Sequence, residues 1–424
     1  MKVRGLAVLG IGVTLAIAAT GCGKGTGKSD KALEIAVTYT GKEAEVFKDL
    51  VGKFEKESGI EVNVAEYGQD YEATLKTRMA SKDLPDVFQT HGWSLLRYKE
   101  YLMKLNDEEW MKDYDESALG VIADEDDSVY VLMISELVNG TIVNLDVCEA
   151  AGVDPYAIHT WDDFTKACEK IKQAGYTPNG TNAQAGLLAN PGGTWTTYDG
   201  EKAQDGKAML DGSYTWDSYD AMLKQYADWI DKGYYYDDVL SIKGNDFTER
   251  YAGGKSAFIL GYDPSIILTC LTLNPDAHYA FLPHFASQEG GKEFVGIGEG
   301  DAFGIWKDSK NTKGAKAFLN FMAKPENAYA INEASGKTSC LKSTMAIDKS
   351  YGLEIFKTMQ EKCKDCDILY DNLWDRKYMP SGMWPIFENA TTMLFDDHSE
   401  EGIAACKSYL QENYKDLYQA SKGE

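Results

Sequence analysis

Proline and histidine are both scarce in this chain, ten and five residues among 424. The five histidines (His91, His159, His278, His284 and His398) form no HExxH pair, and only 278 and 284 are near neighbours, so metal catalysis has little footing. Bases are short as well: 43 Lys and Arg stand against 67 Asp and Glu, a formal charge of −24. A surface of that sign repels phosphate backbones, which excludes nucleic acid as a partner. One Cys363-x-x-Cys366 has no second pair and no nearby His, so a zinc site is poorly supported. The overall profile also excludes a disordered tail, a collagen-like rod and a small disulfide scaffold.

What is present is a large apolar and aromatic load. Apolar residues make up 44% of the chain and aromatics 12%, enough to bury a sizeable core in about two to three globular units. The 9 Trp and 26 Tyr serve either as core or as platforms for a planar or sugar-like ligand, and composition alone favours core.

The first segment stands apart from the fold. Lys2 and Arg4 precede an apolar run from Leu6 to Ala19 that is too short to span a membrane comfortably, which predicts a signal peptide over 1–21. Ala19-Thr20-Gly21-Cys22 resembles a bacterial lipobox, in which the cysteine is diacylated and becomes the mature N-terminus. Residues 22–32 then read as a Gly/Ser/Lys tether. Gly27-Lys28-Ser29 imitates the end of a phosphate-binding loop, but Cys22 replaces the required glycine and no strand precedes it, so nucleotide binding is rejected. Seven cysteines remain after Cys22, an odd number that requires at least one free thiol. Buried thiols, or one incidental disulfide, are expected.

Periodicity places the first elements. Leu33–Tyr39 is a β-rich run; Phe47, Leu50, Val51 and Phe54 share one helical face that Gly59 ends; Ile60–Val64 alternates as a strand. That βαβ order predicts a parallel sheet with helices on its faces. Thr160 caps a helix whose buried face is Trp161, Phe164, Cys168 and Ile171. Tyr219, Leu223, Tyr226 and Ile230 mark another helix, and helices are expected to dominate from Lys324 to the C-terminus. Trp110, Trp161, Trp216 and Trp229 read as core. The Asp-Gly pairs between 180 and 212 lack the carboxylate density of a calcium loop and read as turns. No tandem repeat is evident.

Several segments, in order, carry a resemblance. They are "FEKESGIEVNV" (54–64), "LPDVFQTHGW" (84–93), "VNGTIVNLDVCEAAGVDPYAIHTWDDF" (138–164), "RYAGGKSAFILGYD" (250–263), "FVGIGEGDAFGIWKDSKNTKGAKAFLNFMAKPENA" (294–328) and "WPIFENATTMLFDDHSEEGI" (384–403). The chain resembles the extracellular solute-binding proteins of carbohydrate ABC transporters, the group that includes maltose-binding protein. The resemblance implies a two-lobed α/β periplasmic-binding-protein fold of type II, with the ligand in the interlobe cleft. It implies lobe one at 33–135 plus 283–337 and lobe two at 136–282 plus 339–424, with crossings near Glu136, Pro283 and Ser339. It further implies an exported, lipid-anchored monomer that hands a carbohydrate, an oligosaccharide by expectation, to permease subunits in the membrane, without cofactor or catalysis.

A sugar presents hydroxyls that need polar partners and C–H faces that stack on aromatic rings, and in α/β lobes the site lies beyond the C-terminal ends of strands. Thr40, His91 and Trp93 follow predicted strands. By resemblance, Glu136 falls close to a sugar-contacting acid at the first crossing, Asn190 and Trp195 lie in a contact segment, and Trp384 falls near a stacking Trp. Tyr262 and Asp263 stand where relatives carry Gly-x-Trp; Asp263 takes the Trp position, so Tyr262 is the candidate stacking ring. Glu299 and Asp301 lie in a Gly-rich loop. Two alternatives stay open at this point. One is a surface glycosidase, which needs only a carboxylate pair. The other is a receptor for a polyamine, a peptide or ferric ion.

Overall fold

Leu33–Val37 (β1) carries apolar side chains on both faces, and all but Glu34 are buried, the signature of an interior parallel strand. A computed structural model describes residues 32–67, 70–91, 98–124, 126–183, 187–189, 205–242, 246–370 and 378–422, of which the side chains of Glu66, His91 and Asp205 are left aside. The signal segment, Cys22, Trp93, Asn190 and Trp195 lie outside the described residues. Residues 32–424 pack as one compact unit.

The expected βαβ opening is present. The helix Gly41–Ser58 buries Phe47, Leu50, Val51 and Phe54 and stops at Gly59, whose φ of 72° suits a residue without a Cβ and whose N–H closes on Glu55 O at 2.9 Å. Val62–Glu66 (β2) pairs parallel with β1, and Val87–His91 (β3) joins the other side of β1. Val131–Met133 (β4) and Asp301–Ile305 (β10) complete a five-stranded sheet in the order β2-β1-β3-β10-β4, with β10 antiparallel to its neighbours. Phe47, Phe54, Phe303 and Phe318 interlock in its core; Phe54 meets Phe318 edge-on at 5.3 Å. Each such buried ring contributes roughly 1.5–3 kcal/mol.

A second sheet is built around Ser135–Asn144 (β5), which starts only one residue after β4 ends. Thr177–Asn179 (β6), Ser256–Tyr262 (β7), Tyr279–Leu282 (β8), Phe294–Glu299 (β9), Thr338–Ser339 (β11) and Asp367–Tyr370 (β12) join it, in the order β12-β9-β5-β7-β6 with β8 and β11 also on β5. The first half of β5 pairs with β9, and the second half with β7 and β8. Gly140 marks the change of partner. A Cβ there would lie 2.4 Å from the Phe281 ring and 2.5 Å from Leu282 O, so no other residue fits. Trp161, Trp216 and Trp229 are buried in the core on one side of this sheet, and Trp110 in that of the first sheet, as read from sequence. Thr160 caps its helix as expected, taking the Asp163 N–H at 3.2 Å while its hydroxyl donates to Asp163 Oδ2 at 2.8 Å.

After β8 the strand Phe294–Glu299 pairs with β5, and the next strand, β10, lies in the first sheet, with Gly300 between them. The hydrogen-bonding capacity left open on the first half of β5 explains this, since only β9 satisfies it alongside β11. Helices dominate from Lys324 onward as expected, with the short strands Thr338–Ser339 and Asp367–Tyr370 among them, the latter parallel to β9.

Candidate functional site

The two sheets are tied where the chain passes between them. Ile134 N–H donates to Asp301 O at 2.9 Å, Gly300 N–H to Ser135 O at 3.0 Å, and Asp301 N–H to Ser135 Oγ at 2.8 Å. Asp301 is the anchor of this junction. Its carboxylate accepts from Gln89 Nε2 (3.0 Å), Ser135 Oγ (3.1 Å) and Lys337 Nζ (2.9 Å). Burial works against a charge on Lys337, but Asp301 and Glu43 outweigh it and hold the ammonium protonated. Both Asp301 and Lys337 are thus engaged in holding the crossings.

Beside this junction lie two further acids, each bonded by a threonine. Glu136 on β5 stands opposite Glu299 on β9 and opposite Thr338 on β11, so the three share one face. Thr338 Oγ1 donates to Glu136 Oε2 at 3.5 Å, and Thr90 Oγ1, from the first sheet, donates to Glu299 Oε1 at 3.4 Å. Desolvation pushes the Glu136 carboxyl up to about 8, with Asp115 adding repulsion. Burial raises Glu299 well above the ordinary carboxylate range, and Asp301 adds to it. Burial thus favours the protonated form of both acids, and a protonated carboxyl carries an O–H donor beside its acceptor oxygens.

Tyr370 closes one side of this floor. It ends β12 opposite Ile297 and is 40% exposed, on the same sheet face as Glu299 and Glu136. Burial of its hydroxyl, then Glu136 and Asp115, push its pKa up to about 12, which records how near the three groups lie. Asp115 caps the helix Glu116–Ile122 by accepting the Ala118 N–H at 2.9 Å. An exposed ring beside buried hydrogen-bonding carboxyls can stack on an apolar sugar face while the acids meet its hydroxyls.

The other expected residues fall in different places. Thr40 is exposed at the start of the first helix, past the end of β1. His91 ends β3 opposite Asp301, so its backbone lies at the junction. Tyr262 donates to Asn182 Oδ1 at 3.2 Å and packs on Phe247 at 5.2 Å. Asp263 accepts from Val138 N–H and Ser265 N–H, both at 2.8 Å, which ties β7 to β5. Trp384, in the first turn of the helix Met383–Asp396, is half-buried against the core that holds Trp216. Glu136, Glu299 and Asp301 are therefore brought together; Tyr262 stands opposite Gly140 further along β5, and Trp384 packs against the core of that sheet. Asp115, Tyr370, Thr90 and Thr338 were not read from the sequence. The short apolar and aromatic run within 367–370 was the available signal, and it was hidden by the helical stretches around it. Among the described residues no three His, Cys, Asp or Glu side chains converge on a metal position.

Two α/β layers, joined by hydrogen-bonded crossings with a polar and aromatic site at the junction, define a two-lobed binding protein. The chain belongs to the bacterial extracellular solute-binding protein family, which matches residues 40–329. It is similar to the melibiose/raffinose/stachyose-binding protein MelE of Bacillus subtilis, 29% identical over 387 residues covering 86% of each chain. A sugar transporter protein of Bacillus licheniformis, solved in complex with stachyose, is 27% identical with a TM-score of 0.78, over 91% of this chain and 100% of that one. The binding protein MsmE of Bacillus subtilis, solved in an open conformation, is 26% identical with a TM-score of 0.78, over 92% and 98%. The two-lobed type II fold expected from the sequence is thereby shown.

Proposed function

We propose that this chain is an exported receptor that captures a short neutral oligosaccharide, of the raffinose and stachyose type, and delivers it to an ABC permease without chemical turnover. The observation that carries this reading is the Glu136–Glu299 pair, two desolvated carboxyls facing each other beside the exposed ring of Tyr370. The names of its relatives support the ligand class. The proposed ligand set comprises these three residues and, from the sequence, Thr40, His91, Trp93, Asn190, Trp195, Tyr262 and Trp384; Asp263 and Asp301, engaged by their own donors, are assigned a supporting role. Lobe one then runs 33–134 plus 301–337, lobe two takes the rest, and contacts to both favour closure.

Titration calorimetry with stachyose, raffinose and melibiose tests the ligand, with the sugar recovered intact afterwards. Heat from a polyamine or peptide, with none from any sugar, overturns the reading. Release of reducing ends at an enzyme-like rate transfers the case to a glycosidase.

The anchor is a separate proposal. We infer that Cys22 is diacylated and holds a monomer at the outer face of the cytoplasmic membrane; among the described residues no helix is long and apolar enough to cross it. Cys22→Ala should release soluble protein, and unchanged membrane retention would count against the anchor.

A further inference from the structure

Seven cysteines remain after Cys22, and none is paired. Cys148, Cys168, Cys270, Cys340 and Cys406 are buried; Cys363 and Cys366 alone among them reach solvent. These two close a β-turn between the helix Tyr351–Lys362 and β12, with Cys366 N–H donating to Cys363 O at 3.2 Å. A β-turn brings its first and last Cα atoms within about 7 Å, and a disulfide needs roughly 4.4–6.8 Å. The backbone is therefore already near the geometry of a bridge. Both ends of the turn are held: Cys363 N–H donates to Met359 O at 2.7 Å, and Asp367 N–H to Glu293 O at 2.9 Å. Cys366 Sγ lies 3.8 Å from Met359 Sδ. The acid Glu293 raises both thiols and Asp365 raises Cys366, and Glu293 is bonded to His159 Nδ1 at 2.9 Å. No third ligand converges with the sulfurs among the described residues, so the pair is a dithiol rather than a metal clamp.

We propose that Cys363 and Cys366 form a reversible redox site that a low-molecular-weight disulfide converts to an intramolecular bridge. One thiol, deprotonated, attacks a sulfur of the small disulfide and expels one thiolate, which takes up the proton. The second thiol then attacks the mixed disulfide, forms the Cys363–Cys366 bond and expels the other small thiol. The protein loses two hydrogens and two electrons; one disulfide becomes two thiols. Export places the chain where such oxidants persist. Burial pushes the Cys363 thiol up to about 12, so little thiolate is present and exchange is slow.

The test uses the folded Cys22→Ala protein, reduced and then incubated with glutathione disulfide, with free thiols alkylated after unfolding. The expected result is loss of two of the seven alkylatable thiols and recovery of one peptide linking 363 to 366, reversed by dithiothreitol. Cys366→Ser and Cys363→Ser are the second arm. At least one should accumulate a stable glutathione adduct on its remaining thiol that the parent protein does not retain. Full alkylation of both cysteines after oxidation, stable adducts on both in the parent protein, or linkage to any other cysteine overturns the proposal, as does the lack of an adduct on both serine variants.

Discussion

Glu136 and Glu299 face each other across an antiparallel strand pair at the junction of the two sheets, with a threonine hydroxyl on each. Like charges directly opposite in a sheet are destabilising, and burial of both acids favours the protonated form that avoids this conflict. A neutral carboxyl both donates and accepts, which is what a sugar hydroxyl requires.

The first prediction concerns Glu136. Its folded carboxyl is pushed up to about 8, against about 4.3 in an unfolded chain. A raised folded pKa means that the group favours folding only at low pH, and that the advantage is lost as pH rises from about 4.3 to 8. Glu136→Gln should therefore stabilise the protein by about 1–3 kcal/mol at pH 8 and by nearly nothing at pH 4.5. Melting scans at both pH values check this. Affinity for stachyose should fall less than about tenfold, because Gln keeps a donor and an acceptor, whereas Glu136→Leu strips both and should fall further.

His284 predicts the opposite slope. It is buried against Phe294, and its Nε2 lies 2.6 Å from Asn139 Oδ1, whose own Nδ2 donates to Gly261 O at 2.9 Å. The ring is thus a neutral donor. Burial lowers its pKa to about 3, so stability present above about 6.5 is lost as pH falls toward 3. Between pH 6.5 and 5 the loss should reach about 2 kcal/mol, at 1.36 kcal/mol per unit. In His284→Gln, urea titrations at the two pH values should show that loss largely removed; an unchanged slope would show that other groups carry it.

Gly300 is the backbone test. A Cβ there would sit 2.7 Å from both Ser135 O and Ser135 Oγ, inside the hydrogen bonds that join two crossings. Gly300→Ala should destabilise by at least about 1–3 kcal/mol, the range for overpacking, because backbone must move. Gly120, with open space around its Cβ position in the helix Glu116–Ile122, is the control. Gly120→Ala should be neutral or slightly stabilising. Equal melting temperatures for the two variants would count against a tight junction at 300.

Aromatic truncations separate platform from core. Trp161 is buried and meets Trp229 at 6.2 Å, so Trp161→Ala should lose about 3–5 kcal/mol of stability with ligand preference intact. Tyr370→Ala should keep its melting temperature within a few degrees and weaken stachyose binding roughly tenfold, while Tyr370→Phe retains most of the affinity. The same comparison extends to Trp93, Trp195 and Trp384. Early melting of Tyr370→Ala with normal binding by the folded fraction would remove Tyr370 from the site.

Much of the frame was legible residue by residue. Leu33–Val37, the Phe47-Leu50-Val51-Phe54 stripe, the Gly59 stop and the Thr160 cap follow from periodicity and from side chains that bond within three or four positions, interactions that the order of residues encodes directly. The acidic balance and the junction at Cys22 are likewise properties of composition and local order. Glu136 and Asp301 were singled out from sequence, but their different characters were not. Asp301 gains Lys337, Gln89 and Ser135 from three separate segments, whereas Glu136 gains Thr338 and faces other acids, Glu299 and Asp115. Whether a carboxyl keeps its proton depends on the summed desolvation and charge of neighbours brought from distant strands. The placing of Gly300 at a crossing and of Tyr370 on a sheet edge depends on which strand satisfies the remaining hydrogen bonds of β5. Those are pairings between segments far apart in the chain, and only the packed tertiary structure selects among them.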